Sequence, residues 1–533
     1  MSECYSFIDD TAFLLDYFQK PSHSLVMPSS LHKLPFDVWW ELASFSRAGD
    51  LAAFSTTSSK FLSIIRPLFY RSAFLRLGSR HWRPAMDLLA RDKMLASAVV
   101  ELCLQGTFPR LDVGPPINSD AIANMTSLKR VWIRGAVWST ELEQFEIGRI
   151  LAAKTSTSLE ELSYRTVDSR VEWCSPEVGG LGGLKVIEWR CYKQGGDCAR
   201  NSPLKTPPLT LNGIFSVNLN LVWPILSGSL QTCHRLVLPS LAFEGDKYHL
   251  SSINISNLRS LVVSGGWSTS LVKERLARFL LSHGTIEELH IHNTIQPDTS
   301  LFTPGTLPHL SSFDGSASII GNMASIRMTC LSGTLRHLAV RSPDLHSLMQ
   351  MLEQLQSAND LGHSSTNHAR HSRLLAGLRD IRVSISTERI VDIKAIIRDF
   401  GTLCGDSLDT WRGYLTMESI SAREFADLFQ PYKQLGIIEL DIQDRLYGYF
   451  DHKMNWFPSE NDHIQSVAFA YVLELAKHCP TLQRVRIYKL SIKLDHVWDI
   501  VRTPKPRFQT GGNSCPGPMC TRHYVYVPNS SGE

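Results

Sequence analysis

Residues 128–133 read Leu-Lys-Arg-Val-Trp-Ile: apolar, two variable positions, apolar, one variable, apolar. On a strand, successive side chains point to opposite faces. Val131 and Ile133 would therefore share one face, and Arg130 and Trp132 the other. The same phrase precedes this copy as Val99-x-x-Leu102-x-Leu104. It returns as Leu159-x-x-Leu162-x-Tyr164, Leu184-x-x-Ile187-x-Trp189, Leu258-x-x-Leu261-x-Val263 and Ile286-x-x-Leu289-x-Ile291. Later copies are Leu310-x-x-Phe313-x-Gly315, Leu335-x-x-Leu338-x-Val340, Leu378-x-x-Ile381-x-Val383, Ile437-x-x-Leu440-x-Ile442 and Leu482-x-x-Val485-x-Ile487. A weaker copy, Cys233-x-x-Leu236-x-Leu238, falls after the one at 184.

The first residues 99, 128, 159 and 184 lie 29, 31 and 25 apart, and 258, 286, 310 and 335 lie 28, 24 and 25 apart. The wider gaps, 184 to 233, 335 to 378, 378 to 437 and 437 to 482, are sized for insertions or a degenerate copy. Between phrases the apolar spacing predicts helices over 140–153, 271–282, 344–355, 390–400, 421–429 and 462–478. Thr140 and Glu143 form a plausible capping box for the first, and Gly284 a C-cap for the second. A fixed phrase at this period resembles the leucine-rich repeat, one strand and one return segment per unit. The resemblance implies an α/β solenoid with a parallel concave sheet and helices outside. An α/β globular enzyme domain also alternates strands and helices, but a dozen or so strands are too many for one doubly wound sheet. The Asn that closes the usual repeat phrase is absent; Gly106, Gly135 and Asn293 stand in that neighbourhood, so irregular curvature is expected.

Upstream, residues 34–70 carry a different pattern. Val38, Leu42 and Phe45, then Leu51 and Phe54, then Phe61, Ile64 and Ile65 recur at helical spacing. Pro35 opens the first helix, with Asp37 and Glu41 in its first turn, where the dipole favours negative charge. Gly49-Asp50 separates the second helix and Pro67 ends the third. Three helices of roughly ten residues cannot enclose a core alone, so the unit reads as a docking module. A helix cannot bury the adjacent Trp39 and Trp40 on one internal face.

This segment resembles the F-box. Leu34 and Pro35, Asp37 and Val38, Asp50 and Leu51, and Ser58, Lys60 and Phe61 match the family pattern in order without insertion, with Leu42 at its Ile/Leu position. Ser46, where the family has Leu, departs from it. The resemblance implies docking to a Skp-family adaptor, and through it to a cullin–RING ubiquitin ligase. The adaptor-binding set would be Leu34, Pro35, Val38, Leu42, Leu51, Phe54, Phe61, Ile64 and Phe69. With the repeats, the chain is similar to fungal-type F-box proteins with a degenerate leucine-rich domain. The implied organisation is a tail over 1–27, the F-box over 28–80, the repeat domain over 81–500 with a loop insertion at 356–377, and a disordered tail over 501–533. In that family the concave face and the loops on one side bind the protein destined for ubiquitination. The implied function is the substrate-recognition subunit of an SCF-type ligase; the alternative is a non-catalytic scaffold acting in assembly outside ubiquitination.

Composition excludes several classes. At 533 residues, one compact core is too small a plan, so several domains or a repeat array are required. A net charge of +3 sets up no large field toward DNA or an anionic membrane, and neither partner is expected. Eleven cysteines without a Cys-x2-Cys pair suggest free, mostly buried thiols in a reducing compartment, cytoplasmic or nuclear. Glu3, Asp9, Asp10 and Asp16, with no basic leader, argue against a secretory signal. Residues 206–233 lack charge, but Val217, Leu219 and Leu221 alternate as a strand does, so no membrane span is expected.

No catalytic pattern, cofactor site or metal site rises above background. Residues 179–185, Gly-Gly-Leu-Gly-Gly-Leu-Lys, lack the Gly-Lys-Ser/Thr of a phosphate loop and read as a tight turn feeding a strand at Leu184. His363, His368 and His371 fall in a Ser/Asn-rich stretch and read as a solvated insertion. Cys515, Cys520 and His523 offer three soft ligands where a structural zinc wants four. For target capture, Trp132 should be exposed on the concave face and could serve as an anchor. Trp138, Trp173, Trp189 and Trp267 lie in or near other phrases. Arg130, Arg134, Arg165, Arg190, Arg259, Arg336, Arg341, Arg382, Arg484 and Arg486 fall near strands and hint at a basic strip suited to an acidic ligand. The residues singled out for target binding are Trp132, Arg134, Arg190, Arg336 and Arg382.

Overall fold

The computed structural model describes residues 70–76, 82–106, 117–134, 141–155, 157–166, 183–191, 229–239, 243, 253–264, 270–292, 301–342, 344–363, 374–385, 393–415, 420–442, 458–489, 494–503, 513–514 and 521–528. The nine adaptor-binding positions, Leu34 to Phe69, lie outside these residues, as do Trp138, Trp173, Trp267, His368, His371, Cys515 and Cys520. The chain is mixed α/β with mostly parallel strand pairing. It divides into two units, Met1–Leu258 and Arg259–Glu533.

In the first unit, strands β1 (Ser72–Arg76), β2 (Glu101–Gln105), β3 (Arg130–Arg134), β4 (Glu161–Thr166), β5 (Val186–Cys191) and β6 (Arg235–Pro239) each pair in parallel with the next. Helices α1 (Trp82–Arg91), α2 (Lys93–Ala98), α3 (Ser119–Asn124) and α4 (Glu141–Thr155) connect them, α1 and α2 packing on α3 and α3 on α4. β1 falls inside the segment 28–80 assigned to the helical module. That boundary is corrected: residues 72–76 belong to the sheet.

The phrase sets the register. Leu102, Val131, Leu162, Ile187 and Leu236 are successive Cα partners, all buried. The leading residues Val99, Leu128, Leu159, Leu184 and Cys233 are at most 2 % exposed. Each such leucine is worth about 1.5–3 kcal/mol of burial, and a phrase copy supplies two or three of them per strand. The second residue of each copy carries a backbone ladder: Lys129 N–H donates to the Val100 carbonyl, Glu160 to Lys129 and Lys185 to Glu160, each at 2.8 Å. Gly183 has a φ of +83°, a left-handed turn that delivers the chain into the strand at Leu184, as the glycine-rich stretch predicts.

In the second unit, β7 (Ser260–Ser264), β8 (Glu288–His292), β9 (Ser312–Ser316), β10 (His337–Ser342), β11 (Asp380–Ile385), β12 (Thr410–Leu415), β13 (Ile437–Ile442) and β14 (Arg484–Lys489) repeat the parallel order. The connecting helices are α5 (Ser270–Ser282), α6 (Ala317–Ser325), α7 (Thr329–Ser332), α8 (Leu345–His363), α9 (Ile393–Cys404), α10 (Ala422–Asp427) and α11 (Pro458–His478). α6 packs on β9, β10 and α8, and α8 on α9. Ser421 caps α10, its hydroxyl accepting from Glu424 N–H at 3.2 Å. α5 does not end on a left-handed Gly284. His283 caps it instead, its Nδ1 lying 2.7 Å from the Phe279 carbonyl.

Two phrase copies differ from the sequence reading. The backbone ladder runs from Arg379 to Asp409 to Gly436 to Gln483, so the copies here begin at Leu408 and Leu435. The copy placed at Ile437 is two residues out: Ile437 pairs with Thr410 and Arg484 on the other face, while Ile438 and Leu440 are buried. The copy Leu408-x-x-Trp411-x-Gly413 fills the gap from 378 to 437, which is no insertion. The 335 to 378 gap holds α8, nineteen residues long.

The C-terminal residues are also corrected. β15 (Leu494–Thr503) pairs antiparallel with β14, and β17 (Thr521–Pro528) pairs in parallel with β15 and antiparallel with β16 (Asn513–Ser514). Val525 and Val527 are buried. At 494–503 and 521–528 the chain is sheet, because Tyr524-Val525-Tyr526-Val527 alternates at period two.

Candidate functional site

The face of each sheet opposite the phrase leucines carries three rows of residues, one per alternate strand position. In the first unit the middle row runs Phe74, Cys103, Trp132, Ser163, Glu188 and Val237. Trp132 is half-buried rather than exposed: its indole Nε1 donates to Glu161 Oε1 at 3.1 Å, and the Arg130 guanidinium sits 5.9 Å over its ring. Cys103, Ser163, Glu188 and Val237 are buried, with the Ser163 hydroxyl donating to Glu188 Oε2 at 2.9 Å. The middle row is thus no open groove over these strands. On the N-terminal side, Glu101 accepts from Ser72 at 2.8 Å and is ion-paired with Arg130. On the C-terminal side, Arg76, Gln105, Arg134, Arg165 and Arg190 are successive Cα partners. Arg76 is exposed; Arg134 is half-buried, with its Nε buried and without a hydrogen-bond partner.

The second unit carries a different arrangement. Arg341 grips Asp314 with two hydrogen bonds, at 2.7 and 2.6 Å, and His290 Nδ1 lies 3.5 Å from the same carboxylate. Arg412 bridges Asp380 (2.5 Å) and Glu439 (3.1 Å). Arg486 grips Asp495 at 2.8 Å twice, which holds its guanidinium above the ordinary arginine range, and Arg484 donates to Asp499 at 2.9 Å. Most of these carboxylates lie one strand over from their arginine. Forked guanidinium–carboxylate pairs of this kind fix geometry as well as charge. The Tyr414 hydroxyl accepts from Ile385 N–H at 2.7 Å.

Among the described residues, half of the expected basic strip is neutralised. Arg130, Arg341, Arg484 and Arg486 are compensated on the sheet, and Arg259 pairs with Glu287 in the adjoining turn. Of the five residues singled out, Trp132, Arg134 and Arg190 come together on one sheet in the first unit. Arg336 does not join a strand face: it precedes β10, and its Nη1 donates to the Gly377 carbonyl at 2.8 Å, bracing the next turn. Arg382 stands exposed in the middle row of the second unit, between Ala339 and Arg412. The sequence reading missed Arg412 and its two carboxylates. They become visible once copies are aligned on the leading leucine, since position five of each phrase forms the middle row.

Other chemistry is limited. Cys103, Cys233, Cys330, Cys404 and Cys479 are free and buried, and burial pushes the thiols of Cys233, Cys330, Cys404 and Cys479 up to about 12, which leaves them poor nucleophiles. His523 lies on β17 with its Nε2 3.2 Å from His496 Nδ1. Among the described residues no group of three His, Cys, Asp or Glu side chains converges as a metal site would require. No described helix is long and apolar enough to cross a membrane. Beside the shallow cleft between α10 and α11, Lys477 is paired with Glu474 at 2.6 Å and His478 with Asp427 at 3.2 Å. No family model matches the chain, and no curated protein matches it.

Proposed function

We propose that the protein is the substrate-recognition subunit of an SCF-type ubiquitin ligase: its F-box, residues 28–70, docks a Skp-family adaptor, and its leucine-rich-repeat-like sheets hold the target protein. The observation that carries this reading is the in-register F-box pattern from Leu34 to Phe61, directly ahead of a sheet built at one phrase copy per strand. The parallel order β1 to β6, and again β7 to β14, supports a repeat array of the leucine-rich type. In this role the chain makes and breaks no bond. It raises the effective concentration of target lysines near a ubiquitin-loaded enzyme.

Leu34, Pro35, Val38, Leu42, Leu51, Phe54, Phe61, Ile64 and Phe69 are the residues proposed for the adaptor. Trp132, Arg134, Arg190 and Arg382 are those proposed for the target, and Arg336 is dropped because it braces a turn. Calorimetry of the full chain against a Skp-family adaptor tests the assignment. Binding is expected, with Leu34→Ala plus Pro35→Ala weakening it about tenfold or more, the burial of two apolar side chains being worth that much after association costs. No heat of binding from the intact protein overturns the reading.

A further inference from the structure

We draw no further inference here: the strongest candidate, the side-chain cluster of His496 on β15 and His523 on β17, whose ring nitrogens lie 3.2 Å apart, carries none, because no third described His, Cys, Asp or Glu joins it and Cys515 and Cys520, the soft ligands nearest to His523 in the sequence, lie outside the described residues.

Discussion

The copy Leu408-x-x-Trp411-x-Gly413 makes a quantitative test of how each strand is packed. Trp411 takes the place of the central leucine, 2 % exposed, with its ring edge-on to Phe400 at 6.0 Å and to Phe429 and Tyr432 at 5.9 Å. Its Nε1 is buried without a hydrogen-bond partner, so a hydrocarbon replacement forfeits no hydrogen bond. The indole lies over the next inward position: a Cβ built on Gly413 would stand 2.9 Å from Nε1. Trp411→Leu removes three edge contacts and leaves a cavity, a loss of about 2–4 kcal/mol by scaling from core Trp→Ala changes. Gly413→Val overpacks the site at about 1–3 kcal/mol. Together they restore the ordinary Leu-x-x-Leu-x-Val phrase, with the valine filling space that the indole vacates. The double variant should therefore be at least about 2 kcal/mol more stable than the sum of the singles. Because the chain has two units, a global melt is a poor reporter. Native-state hydrogen exchange of the amides in Thr410–Leu415 reads the local opening energy directly. Additivity to within about 0.5 kcal/mol would refute the claim that Trp411 and Gly413 share one volume.

Two further outcomes follow from the charged groups. His496 is buried against Trp498 and His523, and burial first, then the His523 charge, lowers its pKa to about 4, with Asp495 opposing. A histidine with a lower pKa folded than unfolded takes up its proton more readily when unfolded. Its stabilising share is therefore full above about 6.5 and lost as pH falls from there toward 4, in total about 3 kcal/mol. Exchange of amides in Thr521–Pro528 should accelerate between pH 7 and pH 5, after correction for intrinsic rates, and His496→Gln should flatten that dependence; identical pH profiles would count against it. Arg412→Leu should cost about 1–3 kcal/mol, since it strands Asp380, which is only 18 % exposed in its side chain, and Glu439 without their shared cation. Unchanged native-state exchange of the amides in Thr410–Leu415 at low salt would show the bridge to be passive.

Strand register was the most legible part of the fold. The phrase leucines are buried at every copy where the structure describes them, and within each unit the partners they imply are observed, from Leu102–Val131 to Ile187–Leu236 and from Leu261–Leu289 to Leu338–Ile381. The copy at Leu408 escaped because Trp and Gly replace two aliphatic residues. Phe313-x-Gly315 carries the same signature, a large ring over a missing Cβ, with the built Cβ of Gly315 at 2.5 Å from Phe313 Cζ. Reading that copy as aromatic-x-Gly supplies the template that finds the other. The shift at Ile437 arose because Ile437 and Ile438 are both apolar, and only the backbone bond from Gly436 to Asp409 decides which faces inward. β17 was hidden by its surroundings: Pro516, Gly517 and Pro518 suggest a tail, while the alternation that forms the strand begins just beyond them.

For the candidate site, residue type was legible and role was not. Arginines near strands looked alike in the sequence, yet they divide into two physical classes. Arg341, Arg412 and Arg486 each face a carboxylate on a neighbouring strand, so their charge is consumed in fixing register, and a one-residue slip would set arginine against the wrong partner. Arg134, Arg165 and Arg190 are instead Cα partners of one another on β3, β4 and β5. The feature that separates the register-fixing arginines from the others is the identity of the cross-strand neighbour. That neighbour is fixed by the phrase register alone, and the second class can be picked out wherever two successive copies end their strands in arginine.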